Sequence, residues 1–106
     1  MNIVEAHKLA TEAAIKAETD YKAIYGEPFY CGFAWVTLLV DGRSPLAKES
    51  IANKIADKAC VGKGYTVWNP GQSSTQSMDV KEEGAQAYAA VMNANGFKAI
   101  ARSRPD

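Results

Sequence analysis

Residues 29–40, Phe-Tyr-Cys-Gly-Phe-Ala-Trp-Val-Thr-Leu-Leu-Val, constrain the fold more than any other stretch. The run is rich in aromatic and β-branched residues and contains no polar break, which marks a strand apolar on both faces. Alternate side chains of a strand point to opposite sides. One set is Gly32, Ala34, Val36 and Leu38; the other is Cys31, Phe33, Trp35, Thr37 and Leu39. The first set is small and suits closely packed helices. The second needs its own cover, because a monomer rarely leaves a large aromatic patch in water. At about 12 residues the run is too short to cross a membrane, which takes about 20.

The rest of the chain supplies the partners. Apolar residues at Ile3, Ala6, Ala10, Ala13, Ala17, Tyr21 and Ile24 predict a helix over 2–24 with a mostly alanine stripe, stopped by Gly26 and Pro28. Asp41-Gly42 is turn chemistry, and Ser44-Pro45 opens a second helix over 45–59. Gly62-Lys63-Gly64 ends it, and residues 65–68 form a short strand. Residues 69–77 are a polar loop. Asp79 and Glu82 make a capping-box pattern for a third helix over 80–94, with Val80, Gly84, Ala87, Tyr88 and Val91 inward. Asn95-Gly96 closes that helix before a last strand over 97–103. In that strand Phe97, Ala99, Ala101 and Ser103 share one face, and Lys98, Ile100, Arg102 and Arg104 the other. The expectation is an α+β domain over 1–106, in α-β-α-β-α-β order, with helices on a three-stranded, mainly antiparallel sheet.

Composition narrows the function classes. The 106 residues carry 12 basic and 12 acidic side chains, with 47% hydrophobic and 23% charged residues. That is globular composition, sized for one core. Zero net charge removes the bulk-electrostatic argument for nucleic acid. The alanine-rich start, with Glu5, His7 and Lys8, does not read as a secretory leader. Cys31 and Cys60 read as buried thiols of a cytoplasmic protein. One histidine and no C-x-x-C give no metal-ligand spacing, and no cofactor motif is present. The glycines around Lys63 lack the P-loop pattern, since the expected helix precedes them. No residue set argues for an enzyme: a pair of His7 with a cysteine is possible in space but has no local motif behind it, and Glu82 and Glu83 point apart on a helix.

Two sites compete. The loop offers Asn69, Gln72, Thr75, Gln76 and Ser77 as neutral hydrogen-bonding groups, and Trp68 could stack on a base. The loop enters a helix N-terminus, which favours anions, although Asp79 competes for those donors. Arg102 and Arg104 add forked cations on one strand face. Together these describe a small anionic, nucleotide-like ligand. A solvated loop and solubilising terminal arginines explain the same residues without a ligand. The second site is Phe33, Trp35 and Ile100, an interface for a second copy of the chain.

Cys31-Gly32-Phe33-Ala34-Trp35-Val36, Trp68-Asn69-Pro70, Thr75-Gln76-Ser77-Met78-Asp79, Gly84-Ala85 and the terminal Ser103-Arg104-Pro105-Asp106 resemble a family of short, uncharacterised proteins encoded by bacteriophages and prophages. The resemblance covers residues 29–106. It implies a phage protein in the cytoplasm of an infected cell, and by analogy one that inhibits or modulates a host factor. The resulting expectation is a non-enzymatic binding protein that meets a host protein or sequesters a small anionic ligand. The alternatives are a homodimeric interaction module without a small ligand, and a small nucleotide-processing enzyme.

Overall fold

The computed structural model describes residues 3–26, 32–39, 57–58, 65–71 and 77–105. Helix α1 spans Ile3–Tyr25, strand β1 Gly32–Leu38, β2 Asp57–Lys58, β3 Tyr65–Trp68, helix α2 Met78–Ala94 and β4 Ala99–Pro105. The class is α+β. The strands form one sheet in the order β2-β3-β1-β4, and every pairing is antiparallel. The aromatic run is therefore a central strand, flanked by β3 and β4 as its apolar faces demand. Residues 57 and 58 correct the expected helix over 45–59. They pair with Thr66 and Tyr65, where the free edge of β3 offers backbone partners that compete with helix formation. The rest of that helix, both cysteines and the expected strand residues 29–31 and 40 lie outside the described residues.

One sheet face carries the helices. Ala34, Val36 and Leu38 of β1, Tyr65 and Val67 of β3 and Ala99 of β4 are buried in a single cluster with α1 and α2. This is the small-residue face expected from strand alternation. Helix α2 lies on β1 and β4, and α1 packs along α2. The approach is close. At Gly32 a Cβ would sit 2.6 Å from the Arg104 carbonyl and 2.7 Å from Met78 Sδ.

The buried line of α1 is Ile3, Ala6, Ala10, Ala14 and Glu18. The expected stripe through Ala13, Ala17, Tyr21 and Ile24 is corrected: the first three are half-buried and Ile24 is exposed. That stripe advances about 3.5 residues per turn, the coiled-coil period, and drifts around a straight helix. The observed line instead follows an i+4 ridge, the usual ridge in globular helix packing. His7 meets Tyr88 and Glu18 meets Gly84, so the two helices run in opposite directions.

The ends of α2 are set by local chemistry. The cap is Ser77, whose Oγ accepts from the Val80 N–H at 3.5 Å. The helix therefore begins before the expected Asp79, and Asp79 becomes a first-turn acid favoured by the helix dipole. Ala85, Ala89 and Met92 are buried beside Val80, Gly84 and Tyr88, while Ala87 and Val91 lie at the margin. At the other end Gly96 has φ 87°. Gly96 N–H donates to Asn93 O at 3.1 Å and Phe97 N–H to Met92 O at 2.9 Å, a Schellman closure. Phe97 therefore belongs to the turn, and β4 starts two residues later than expected. The Asn93 side chain bridges to Ala99, donating to its carbonyl at 2.9 Å and accepting from its N–H at 3.0 Å.

His7 Nδ1 and the Tyr88 hydroxyl lie 2.6 Å apart across the helix seam. Burial lowers the His7 pKa from 6.5 and raises that of Tyr88, so the fold holds both groups neutral. The folded chain binds the His7 proton less readily than the unfolded chain. The stability this provides is complete above about pH 6.5 and declines as pH falls below it. Relative to the parent, a His7→Asn variant should therefore gain urea midpoint as pH falls from neutral to mildly acid. A Gly32→Ala variant should lose about 1–3 kcal/mol of unfolding free energy, because backbone and Met78 already occupy the space a methyl group needs.

Candidate functional site

The other sheet face is the candidate site. Residues directly opposite in an antiparallel pair project to the same side. Trp35 pairs with Trp68 on β3 and with Arg102 on β4; Phe33 pairs with Arg104, and Thr37 with Thr66 and Ile100. Phe33, Trp35, Thr37, Thr66, Trp68, Ile100, Arg102 and Arg104 thus share the face turned away from α1 and α2, on which Thr37 is buried. The rings form a cluster. Trp35 and Trp68 stack with centroids 5.7 Å apart and planes 16° from parallel. Phe33 lies 5.6 Å from Trp68.

Cations rim the cluster. The Lys81 ammonium stands 5.3 Å from the Phe33 ring centre and donates to the Gly32 carbonyl at 3.1 Å. Arg104 lies 6.0 Å from the same ring. Both distances are within cation–π range. Lys81 reaches the face from α2 past the end of β1, so it joins chain positions that sequence spacing keeps apart. Trp68 is 58% exposed and Ile100 40% exposed, while Phe33 and Trp35 are half-buried. The exposed part of the face is an aromatic surface flanked by three cationic side chains.

The structure redistributes the expected site residues. Trp68, Arg102 and Arg104 are brought together, and they join Phe33, Trp35 and Ile100. The two sets the sequence kept separate are one surface. Asn69 follows directly with φ 47°, its N–H donating to the Ala34 carbonyl at 3.3 Å. Ser77 is buried and caps α2, which packs on the opposite sheet face. Gln72, Thr75, Gln76 and Lys63 lie outside the described residues. The turn itself leaves the open face at once, because Pro70 and Gly71 are buried and Gly71 abuts Glu18 of α1.

A depression of about 90 Å³ lies between α2 and β4, lined by Glu82, Ala85, Gln86, Ala101, Arg102 and Ser103. The Ser103 hydroxyl donates to Glu82 Oε1 at 2.8 Å across its rim. Pockets for drug-sized ligands run from about 300 Å³ upward, so a nucleotide does not fit there. Among the described residues no cluster of His, Cys, Asp or Glu could hold a metal ion. No described helix is long and apolar enough to cross a membrane.

Sequence reasoning missed two participants. Lys81 was hidden because its contact depends on where α2 crosses β1. Glu18 was hidden on the polar side of the heptad-like stripe; the signal was the i+4 ladder Ala6, Ala10, Ala14, Glu18 together with glycines at 71 and 84. Comparison with protein-family models, curated proteins and solved structures finds no match for this chain. If Ser77 caps α2 and contributes nothing to the open face, Ser77→Ala should cost about 0.5–2 kcal/mol of stability. The emission of Trp35 and Trp68 in the folded state should stay unchanged.

Proposed function

We propose that this is a non-enzymatic binding protein that takes a flat, anionic, nucleotide-like ligand on the open sheet face. One observation carries the reading: the stacked Trp35–Trp68 pair lies in register with Arg102, beside Phe33 and Arg104. Aromatic faces stack on bases without needing a particular base. Guanidinium forks suit the phosphate. In this reading Trp68 stacks and Arg102 and Arg104 supply charge, and Asn69, Gln72, Thr75 and Gln76 are the further hydrogen-bonding groups that the sequence offers. Phage origin and a host target, which the family resemblance implies, fit a protein that sequesters such a ligand in an infected cell.

A second reading rests on the exposure of Trp68 and Ile100. Two copies could bury these side chains, with Phe33 and Trp35, against each other, giving a homodimeric module that meets a host protein and has no small ligand.

The chain has two tryptophans, and both lie on this face, so intrinsic fluorescence reports on it directly. Titration with a panel of nucleotides and cyclic nucleotides should quench the emission with saturation. Arg102→Ala should weaken the apparent affinity roughly tenfold or more, the scale of a hydrogen bond to a charged group, while leaving the thermal midpoint within a few degrees. No quenching by any member of the panel at millimolar concentration sinks the ligand reading. Light scattering decides the second: a dimer at micromolar concentration that Trp35→Glu converts to monomer supports it, and a wild-type monomer overturns it.

A further inference from the structure

Glu18 lies on the buried seam of α1, 2% exposed, and among the described residues neither carboxyl oxygen has a hydrogen-bond partner. Its carboxyl group occupies a slot that exists because two facing residues lack side chains. Oε2 fills the position a Cβ would take on Gly71 and crowds the corresponding position on Gly84. Three elements therefore close on one side chain: α1, α2 and the turn that follows Trp68.

Few groups oppose its burial. The charged side chains acting on it are Lys22, one turn further along α1, and Lys81 of α2. Residues 69–71 contain no titratable side chain. Lys81 is committed elsewhere, to the Gly32 carbonyl at 3.1 Å. Both lysines favour the carboxylate, yet burial outweighs them and lifts the Glu18 pKa from 4.5 to about 7. A carboxylate stripped of water and given no donor is strongly disfavoured, and the neutral acid much less so.

We propose that Glu18 is a proton-operated latch: its protonated carboxyl seats in the Gly71–Gly84 slot and clamps α1 to α2 and to the turn behind Trp68, and ionisation drives it out. The step is one O–H dissociation, with the proton leaving to solvent. The seated acid binds its proton more tightly than the same group in the unfolded chain. Its stabilisation is thus complete below about pH 4.5 and lost as pH rises through about 7. This is opposite in sign to His7, so over mildly acid pH the two contributions offset each other, and Glu18→Gln and His7→Asn change the stability profile in opposite directions. The latch does not depend on any ligand of the open face.

The test uses the full chain without ligand. Carboxyl chemical shifts of ¹³C-labelled glutamate give the Glu18 midpoint, assigned by its loss in Glu18→Gln. Amide exchange at Gly71, corrected for the intrinsic rate, gives the opening. The latch requires a midpoint at or above about pH 6, with Gly71 exchange rising roughly tenfold per pH unit on the acid side of the midpoint and levelling off above it, as the ionised fraction does. Glu18→Gln should flatten that rise and raise the thermal midpoint at alkaline pH. Should the variant fail to fold, the wild-type titration and exchange profile decide alone. A Glu18 midpoint below about pH 6, or corrected Gly71 exchange that does not follow it, overturns the proposal.

Discussion

The contact of α1 with α2 through side chains of minimal size governs much of this structure. Ala6, Ala10 and Ala14 line one helix, and Gly84, Ala85 and Ala89 the other. Such residues lose little side-chain entropy on burial, and they let backbones approach. With α2 also pressed onto β1, the larger apolar residues Tyr88, Met92, Val36 and Leu38 fill the space between the layers. The same economy makes the seam unforgiving. Where it admits a polar group, as at His7 and Glu18, that group is held away from water and its proton affinity moves.

The sheet divides the molecule into two chemistries. Small side chains of β1 and β4 turn toward the helices, and large aromatic and cationic ones turn away. This division follows from the period of two along a strand and was legible in the sequence, residue by residue, for Gly32 to Leu38 and for Ala99 to Arg104. The helix-closing glycine at 96 was legible from turn chemistry, whereas the Trp35–Trp68 ring pair depends on the register of β1 with β3. The order of the strands was not legible: the apolar faces of β1 fit a central position, but only the pairing of β1 with both β3 and β4 shows it.

Other features depended on geometry that no local pattern encodes. Ser77 and Asp79 are both good caps, and only the packing of Met78 against Gly32 shows which turn comes first. The α1 stripe was read at the coiled-coil period because alanines occur on both candidate lines. The crossing of two helices selected the i+4 ridge and brought Glu18 inside. Asp57-Lys58 carries no strand signature, since a two-residue edge pairing is decided by its neighbour. The merging of the arginine set with the aromatic set was half visible, because Arg102 and Ile100 share a strand face. That Arg102 stands opposite Trp35 is a matter of register.

The last strand closes one side of the sheet with Arg102, Ser103, Arg104 and Pro105, and no further strand pairs with it among the described residues. An open sheet edge is a template for polymerisation. Laid antiparallel on its own copy, this one would set arginine against arginine, and its proline has no N–H to offer. Charge repulsion and the missing donor thus make this edge of the sheet a poor template for adding a further strand.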